Sequence, residues 1–267
     1  MDFEQIIYEK ADGIATITLN RPERMNAFTP QMLDEWLAAL QDAHVDADVR
    51  VVIVTGSGRG FCTGADVSGG AAASLMDRSR SLAENRNFLR DSVQRIPRLA
   101  ALMEKPYIAA VNGAAVGAGM DMASMCDIRF AAETARFGMT YVRMGLVPGD
   151  GGGYFLPRIV GLARALDLIW TGRLFDAQEA LAMGYVSAVV PAEQLMDYTR
   201  EYALKLARGP AVAIQLSKRL VYRSLDLDAD AALDLAQQAM FICQSTEDAR
   251  EGPRAFVEKR EPEFKGR

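Results

Sequence analysis

The sequence predicts an α/β protein that ends in a helical region. Over roughly the first 190 of its 267 residues, short apolar runs alternate with segments of helical spacing, which is typical of βαβ units. From Gly161 onward, apolar residues recur three and four positions apart, as on one face of a helix. We therefore predict an α/β core over residues 1–190 and a helical C-terminal region over residues 191–267.

The N-terminal elements are predicted from a turn dipeptide and a helix cap. Two β-type runs, residues 5–10 and 14–20, flank an Asp-Gly dipeptide, which favours a tight hairpin between antiparallel strands. A helix is predicted to begin at Thr29 and Pro30, because Thr is a good N-cap and Pro fits the first turn. The chain is thus expected to open with two strands and a helix.

The later strands and helices are predicted from longer patterns. Three apolar runs indicate strands at residues 49–56, 107–113 and 127–138. A long charged stretch, about 77–104, indicates a helix between the first two of these strands. The C-terminal helical pattern comprises five segments: 162–172, 176–184, 191–209, 210–225 and 228–245.

The composition argues against several chemistries. The chain has a single histidine, His44, and three cysteines without a CxxC pair, so we predict no metal site. His44 lies in a polar segment typical of a solvated helix end, which disfavours Ser-His-Asp and Cys-His mechanisms. A net charge of −5 without a Lys/Arg run predicts no nucleic-acid or anionic-membrane partner. The acidic N-terminus, the lack of about 20 consecutive apolar residues and the unpaired cysteines predict a cytoplasmic protein without leader or membrane span.

The clustering of glycine is the most informative feature. Fifteen of the 22 glycines fall in three windows, residues 56–70, 113–119 and 138–153, each beside an apolar strand. No window completes a GxxxxGK[ST] or GxGxxG motif, so phosphate-binding loops are excluded. The windows are either tight turns or a site in which main-chain N–H groups bind the ligand. Three clusters favour an oxyanion hole, with one N–H from the first window and one at the start of a helix at 119–126.

The motifs in these windows resemble those of a known family. The chain is similar to the enoyl-CoA hydratase/isomerase (crotonase) family over essentially its whole length, with these motifs: NRPERMNAF (20–28), GRGFCTGADVS (58–68), VGAGMD (116–121), MGLVPGDGGG (144–153) and the segment 247–267. The resemblance implies a crotonase-like spiral of ββα units with a C-terminal helical trimerisation region. It also implies a homotrimer or dimer of trimers that acts on acyl-CoA thioesters, with no metal and no cofactor besides the substrate's coenzyme A.

The resemblance also implies residue roles in binding. The N–H groups of Ala65 and Ala118 would hold the thioester oxygen. Coenzyme A would lie along two segments and under a C-terminal pair that commonly belongs to a neighbouring subunit. These residues are Arg24, Met25 and Ala27, then Ala65, Asp66 and Val67, and finally Phe256 and Lys259. Arg24 and Lys259 can equally be interpreted as solvated surface charges.

The catalytic positions differ from the family's hydratase pattern of two glutamates. The resemblance places Asp121 and Tyr141 at those two positions. Aspartate is one methylene shorter and tyrosine, with a pKa near 10, is a weak base, so efficient two-glutamate hydration is not expected. Tyr141 is instead expected to donate a hydrogen bond or to wall the acyl pocket. Asp150 is either a second functional carboxylate, as in dienoyl-CoA isomerases, or a turn residue that accepts backbone hydrogen bonds. Arg143 either orients a carboxylate-bearing acyl group or is exposed.

These residues leave more than one function open. The first hypothesis is an enzyme that stabilises a thioester enolate and moves protons with Asp121 and Asp150, with isomerisation favoured over fast hydration. A dienoyl-CoA isomerase, with the two carboxylates near opposite ends of the acyl group, is one form of it. The second is an acyl-CoA-binding homologue without catalysis. The serine-protease branch of the fold is disfavoured, because His44 is remote in sequence from any Ser of the glycine windows.

Overall fold

Two sheets organise the part of the chain that the computed structural model describes, residues 2–66 and 81–267. The strands are β1 (Ile6–Ala11), β2 (Ile14–Leu19), β3 (Val51–Gly56), β4 (Gly60–Cys62), β5 (Tyr107–Val111), β6 (Ala114–Val116), β7 (Ile128–Ala132), β8 (Arg136–Gly138), β9 (Phe175–Asp176) and β10 (Ala188–Val190). In these ranges the larger sheet has the order β1-β2-β3-β5-β7-β10, and the smaller has the order β4-β6-β8-β9. Successive strands therefore alternate between the sheets in the middle of the chain.

Helices follow these strand pairs, so ββα units repeat along the chain. The helices of the described ranges are α1 (Pro30–Val45), α2 (Leu82–Asp91), α3 (Arg95–Leu102), α4 (Ala118–Ser124), α5 (Gly152–Val160), α6 (Leu162–Thr171), α7 (Ala177–Ala182), α8 (Leu195–Ala207), α9 (Ala211–Ser224), α10 (Ala229–Gln244) and α11 (Asp248–Glu258). Three strand pairs show this arrangement: β3/β4, β5/β6 and β7/β8. In each pair the first strand lies in the larger sheet and the second in the smaller sheet, and a helix follows. The predicted α/β class and the ββα repeat are confirmed. Within the described ranges, no helix has both the length and the apolar character needed to cross a membrane.

The larger sheet is covered on both faces. Val51 and Ile53 of β3 belong to the core on the face that α8 covers. Val52 and Val54 alternate to the other face, where the core also contains residues of α1 and of the smaller sheet. Because both faces are buried, β3 is a continuous apolar run rather than an alternating one. The division at residue 190 stays a prediction, while α8, which follows it, packs on the core sheet.

The predicted N-terminal elements are confirmed. β1 and β2 pair antiparallel, with Ala11 opposite Ile14. Thr29 is the N-cap of α1, and its Oγ1 accepts a hydrogen bond from the Met32 N–H at 3.1 Å. The cap satisfies an N–H group that the helix itself leaves without an acceptor. The helix thus begins where the sequence predicts it to begin.

Several predicted elements differ from the structure. The single strand predicted at 127–138 is wrong, because a turn at 133–135 divides it into β7 and β8, which lie in different sheets. The helix predicted at 77–104 is two helices, α2 and α3, separated at residues 92–94; residues 77–80 lie outside the described ranges. The short strands β4, β6, β9 and β10 were missed, since two or three residues carry too little periodicity to be recognised.

Asn26 connects its own loop to a loop of the first glycine window. Its side chain is fully buried; Nδ2 donates to the carbonyls of Ser57 (2.9 Å) and Gly60 (2.7 Å), and Oδ1 accepts from the Arg21 N–H (2.9 Å). Buried polar groups that lose their partners are costly. The loop at residues 21–28 is therefore fixed against the loop at 57–60.

We expect Asn26→Ala to lower the free energy of unfolding by about 3 kcal/mol, because buried groups in both loops lose partners. The matched variant Asp228→Ala removes an exposed cap at α10, whose Oδ1 accepts from the Ala231 N–H, and should cost about 1 kcal/mol. Urea unfolding followed by circular dichroism measures both values. Equal losses in the two variants would contradict a special role for Asn26.

Candidate active site

A mainly apolar pocket of about 380 Å³ lies where the first glycine window, the start of α4 and residues 140–150 meet. Its apolar wall includes Phe28, Leu33, Leu89, Val93, Leu146 and Val147. Among the described residues that line it, Asp150 is the single carboxylic acid, and none is Lys or Arg. The pocket therefore suits an uncharged, apolar group with one acid or base beside it.

The backbone of Ala65 is oriented by an isolated parallel bridge to Phe28. The Phe28 N–H donates to Gly64 O at 2.8 Å, and the Asp66 N–H donates to Phe28 O at 2.9 Å. The bridge uses the groups on either side of Ala65, so the N–H of Ala65 points away from Phe28. Ala65 lines the pocket.

A second N–H group comes from the start of α4. Ala118 is the first residue of this helix, so its N–H has no acceptor within the helix. The preceding Gly117 has φ +57°, and Gly64, before Ala65, has φ +91°; glycine adopts such angles most readily. A methyl group at Gly64 would lie 3.3 Å from Ala118 N, so the two loops are in contact. Ala65 and Ala118 thus lie close together in the pocket wall, as an oxyanion hole requires.

Asp121, Tyr141 and Asp150 form one hydrogen-bonded group. Tyr141 Oη lies 2.7 Å from Asp121 Oδ2 and 3.0 Å from Asp150 Oδ2. The three side chains come from α4, from the 3₁₀ helix Thr140–Met144 and from the loop before α5. The structure therefore brings together the three residues singled out at the catalytic positions.

Burial shifts the pKa of both carboxyl groups upward. Desolvation raises the pKa of Asp121 to about 7; the hydrogen bond from Tyr141 opposes this shift, and the nearby Asp150 charge adds to it. Desolvation also raises the pKa of Asp150 to about 6, again opposed by the Tyr141 hydrogen bond. The pKa of Tyr141 is raised well above its ordinary value by burial and by the two carboxylates. Tyr141 is therefore neutral, while both aspartates titrate near neutral pH.

The two aspartates differ in access to the pocket. Asp150 lines the pocket, whereas Asp121 does not and is 0% exposed. Asp121 Oδ1 has no hydrogen-bond partner among the described residues, although the N–H groups of Asp150 and Gly152 lie near enough to lower its pKa. The expectation that the carboxylates lie near opposite ends of the acyl group stays a prediction, and the shared contact with one hydroxyl does not favour it.

Comparison with known proteins identifies the family. The model of the family described as enoyl-CoA hydratase/isomerase matches residues 9–267. The chain belongs to this family. Short-chain-enoyl-CoA hydratase of Clostridium acetobutylicum is 38% identical, with all of both chains covered. 2,3-Dehydroadipyl-CoA hydratase of Escherichia coli is 36% identical over 98% of this chain and 99% of that protein. The crystal structure of an enoyl-CoA hydratase from Bacillus anthracis matches with a TM-score of 0.91 and 34% identity, covering 99% of this chain and 100% of that one.

In this member of the enoyl-CoA hydratase/isomerase family, the residues at 24–27 that are predicted to hold coenzyme A lie beside the pocket. Arg24 is exposed, Met25 is half-buried and Ala27 is 8% exposed. Thr63 Oγ1 donates to Met25 O at 3.4 Å, so this segment lies against the loop that carries Ala65. Val67 lies outside the described residues. The segment at 24–27 and the loop at 63–66 therefore form one continuous surface beside the pocket.

Three further predicted residues lie away from the pocket of this chain. Phe256 is 85% exposed, and Lys259 is exposed at the end of α11 with φ +55°. No residue after Asp150 is among the described residues that line the pocket. Arg143 is exposed and packs next to Gly172, the C-cap of α6, rather than on the pocket wall. Arg143 is therefore not among the described residues that line the pocket, and an orienting role for it stays a prediction.

Two residues of the site were missed from the sequence. Arg21 forms an ion pair with Asp66 at 2.8 Å and also donates to Ala27 O, so it connects both segments predicted to bind coenzyme A. Its position in the motif at 20–28 was a usable signal. Gly152 allows close packing on Asp121, because a methyl group there would lie 2.2 Å from Asp121 Oδ1. This role depends on a tertiary contact that no local pattern indicates.

Proposed function

We propose that the protein catalyses enolate chemistry on an acyl-CoA thioester, as a double-bond isomerase or hydratase. The N–H groups of Ala65 and Ala118 hold the thioester oxygen as negative charge develops on it, and Asp150 transfers the proton. The main support for the proposal is the position of Asp150. Its carboxyl group, whose pKa is raised, lies in the same pocket wall as these two N–H groups. No cofactor besides the substrate's own coenzyme A takes part.

Isomerisation fits the carboxyl groups better than two-carboxylate hydration does. Hydration by two carboxylates requires one to activate water and the other to give a proton to carbon. Asp121 is fully buried behind Tyr141, which leaves Asp150 as the described carboxyl group that lines the pocket. A single group that removes a proton from one carbon and returns it to another is sufficient for a double-bond shift. Hydration remains the second candidate, favoured by the names of the relatives.

The acyl group is proposed to be uncharged. The pocket wall is apolar, and its described lining contains no Lys or Arg to pair with a terminal carboxylate. The charge of Asp150 would also repel one. We therefore propose that the substrate of this chain is not a dehydroadipyl thioester, because that compound carries a terminal carboxylate.

The protein is further proposed to be a homotrimer or a dimer of trimers. The C-terminal helices carry large exposed apolar side chains: Val221, Leu233, Met240, Phe241, Phe256 and Val257. Exposed apolar surface of this extent is typical of an interface. In such an assembly Phe256 and Lys259 cover the coenzyme A of a neighbouring subunit.

A substrate panel tests the proposed function. We expect turnover of an uncharged 3-enoyl-CoA or 2-enoyl-CoA in D₂O, with deuterium entering the acyl carbons, and at least tenfold weaker activity on a matched thioester with a terminal carboxylate. Absorbance and mass spectrometry measure product and label. Tight binding of acyl-CoA thioesters without turnover of any of them would favour the non-catalytic homologue. Preference for the carboxylate-bearing thioester would overturn the assignment of an uncharged acyl group.

A further inference from the structure

The Tyr141 hydroxyl lies between the two aspartates and can hydrogen-bond to both at once only if one of them is protonated. Oη lies within hydrogen-bond distance of both carboxyl groups, 2.7 Å from Asp121 and 3.0 Å from Asp150. A phenol carries one proton and donates one hydrogen bond. The second contact is a hydrogen bond only if the other carboxyl group is protonated and donates to Oη. The geometry therefore fits a group that holds one carboxyl proton between two aspartates.

We propose that Tyr141 is a proton relay between the buried Asp121 and the pocket-facing Asp150, so that Asp121 acts on the substrate only through Tyr141. The proposal rests on the proposed function for its catalytic meaning. Asp121 is in this sense a positioning residue that stores a proton. Asp150 is the catalytic residue, because it lines the pocket.

The relay has two states that differ by the net transfer of one proton from Asp121 to Asp150. In the first, the Asp121 carboxylic acid donates to Tyr141 Oη, and the Tyr141 hydroxyl donates to the Asp150 carboxylate. In the second, the Tyr141 proton has moved to Asp150 and the Asp121 proton has moved to Tyr141 Oη. Asp150 is a base in the first state and an acid in the second. Total charge and the number of protons are the same in both states.

The surroundings favour a single negative charge on the pair. Both carboxyl groups are buried, and neither forms an ion pair with a described residue. The other titratable groups that face them are the thiol of Cys62 in β4 and the hydroxyl of Tyr185 beside α4, and burial raises the pKa of both, so they stay neutral. Two adjacent buried charges would repel each other, which is why the pKa values of about 7 and about 6 belong to the pair.

The pH profile of kcat/KM tests the relay with whichever thioester the panel identifies. The active form holds one proton on the pair, so wild-type activity should rise as the pair loses its first proton and fall as it loses its second, giving a bell. In Asp121→Asn the falling limb should disappear, because one carboxyl group is left to titrate. In Tyr141→Phe the hydrogen bond that lowers the pKa of Asp150 is lost, so the rising limb should move to higher pH.

A double variant and a matched control separate the relay from a structural role. Adding Asp121→Asn should change the profile of Tyr141→Phe less than it changes the wild-type profile, since the hydrogen-bonded connection is already broken and only the repulsion between the two charges remains. Tyr8→Phe removes a similar tyrosine–aspartate hydrogen bond, 2.7 Å to Asp42, away from the pocket lining, and should keep the wild-type bell. A bell that persists in Asp121→Asn with only a uniformly lower kcat would overturn the relay.

Infrared spectroscopy tests the shared proton without any substrate. At a pH between the two pKa values, the wild type should show the C=O stretch of a buried carboxylic acid, and Asp121→Asn should lose it. If the band is present but no thioester is turned over, the proposed function is wrong and the shared proton is supported. Turnover without the band would overturn the relay and leave the proposed function standing. If Asp121→Asn does not fold, absence of the band from the wild type alone overturns the relay.

Discussion

Asp150→Asn is expected to lower kcat by about 10²–10⁴-fold with little change in KM. Asn cannot remove or return a proton, and Asp150 is the carboxylic acid among the described residues that line the pocket. Its amide keeps the size and hydrogen-bonding capacity of the side chain, so the apolar wall that binds the acyl group remains. Steady-state kinetics with an uncharged enoyl-CoA measure both constants.

The control for this change is Asp167→Asn. Asp167 is an exposed aspartate of α6 that pairs with Arg173 at 3.0 Å and does not line the pocket, so activity should stay at the wild-type level. Wild-type kcat in Asp150→Asn would remove Asp150 from the mechanism. A large rise in KM with unchanged kcat would indicate a binding role instead.

Ala118→Pro is expected to lower kcat by about 10²–10³-fold, because it deletes one of the two N–H groups of the oxyanion hole. Proline has no backbone N–H, yet it fits the first position of a helix, which Ala118 occupies in α4. The substitution therefore removes the donor without interrupting the helix. Kinetics together with thermal unfolding measure the loss and verify the fold.

Ala229→Pro provides the matched control. Ala229 is the exposed first residue of α10, and the cap hydrogen bond from the Ala231 N–H to Asp228 does not involve it. Kinetics and unfolding should both stay near the wild type. Equal losses of activity in the two proline variants would show that helix disturbance, not the missing N–H of Ala118, is responsible.

Local chemistry made part of the fold predictable. The cap at Thr29 and the hairpin between β1 and β2 depend on residues within a few positions of each other, and both were predicted. The division of 127–138 was not, since a three-residue turn separates strands whose different sheets are set by tertiary packing. Short strands such as β9 gain their stability from neighbours rather than from their own sequence.

The candidate site was predictable as a set of residues but not as an arrangement. Glycine windows indicated backbone binding, and the family motifs indicated Ala65, Ala118, Asp121, Tyr141 and Asp150. The sequence did not indicate that the Tyr141 hydroxyl lies between the carboxyl groups of Asp121 and Asp150. This arrangement depends on the relative positions of α4, the 3₁₀ helix and the loop before α5. The sequence also did not indicate that Asp121 is sealed from the pocket.

The most direct test of enolate formation by Asp150 and the oxyanion hole is exchange of the α-proton of a saturated, uncharged acyl-CoA in D₂O. Exchange requires a base to remove the α-proton and an oxyanion hole to hold the enolate, and it needs no water addition or double-bond shift. We expect exchange with the wild type, none above background with Asp150→Asn, and about 10²–10³-fold slower exchange with Ala118→Pro, which is the cost of losing one such donor. Exchange at the wild-type rate in Asp150→Asn would show that Asp150 is not the base that forms the enolate.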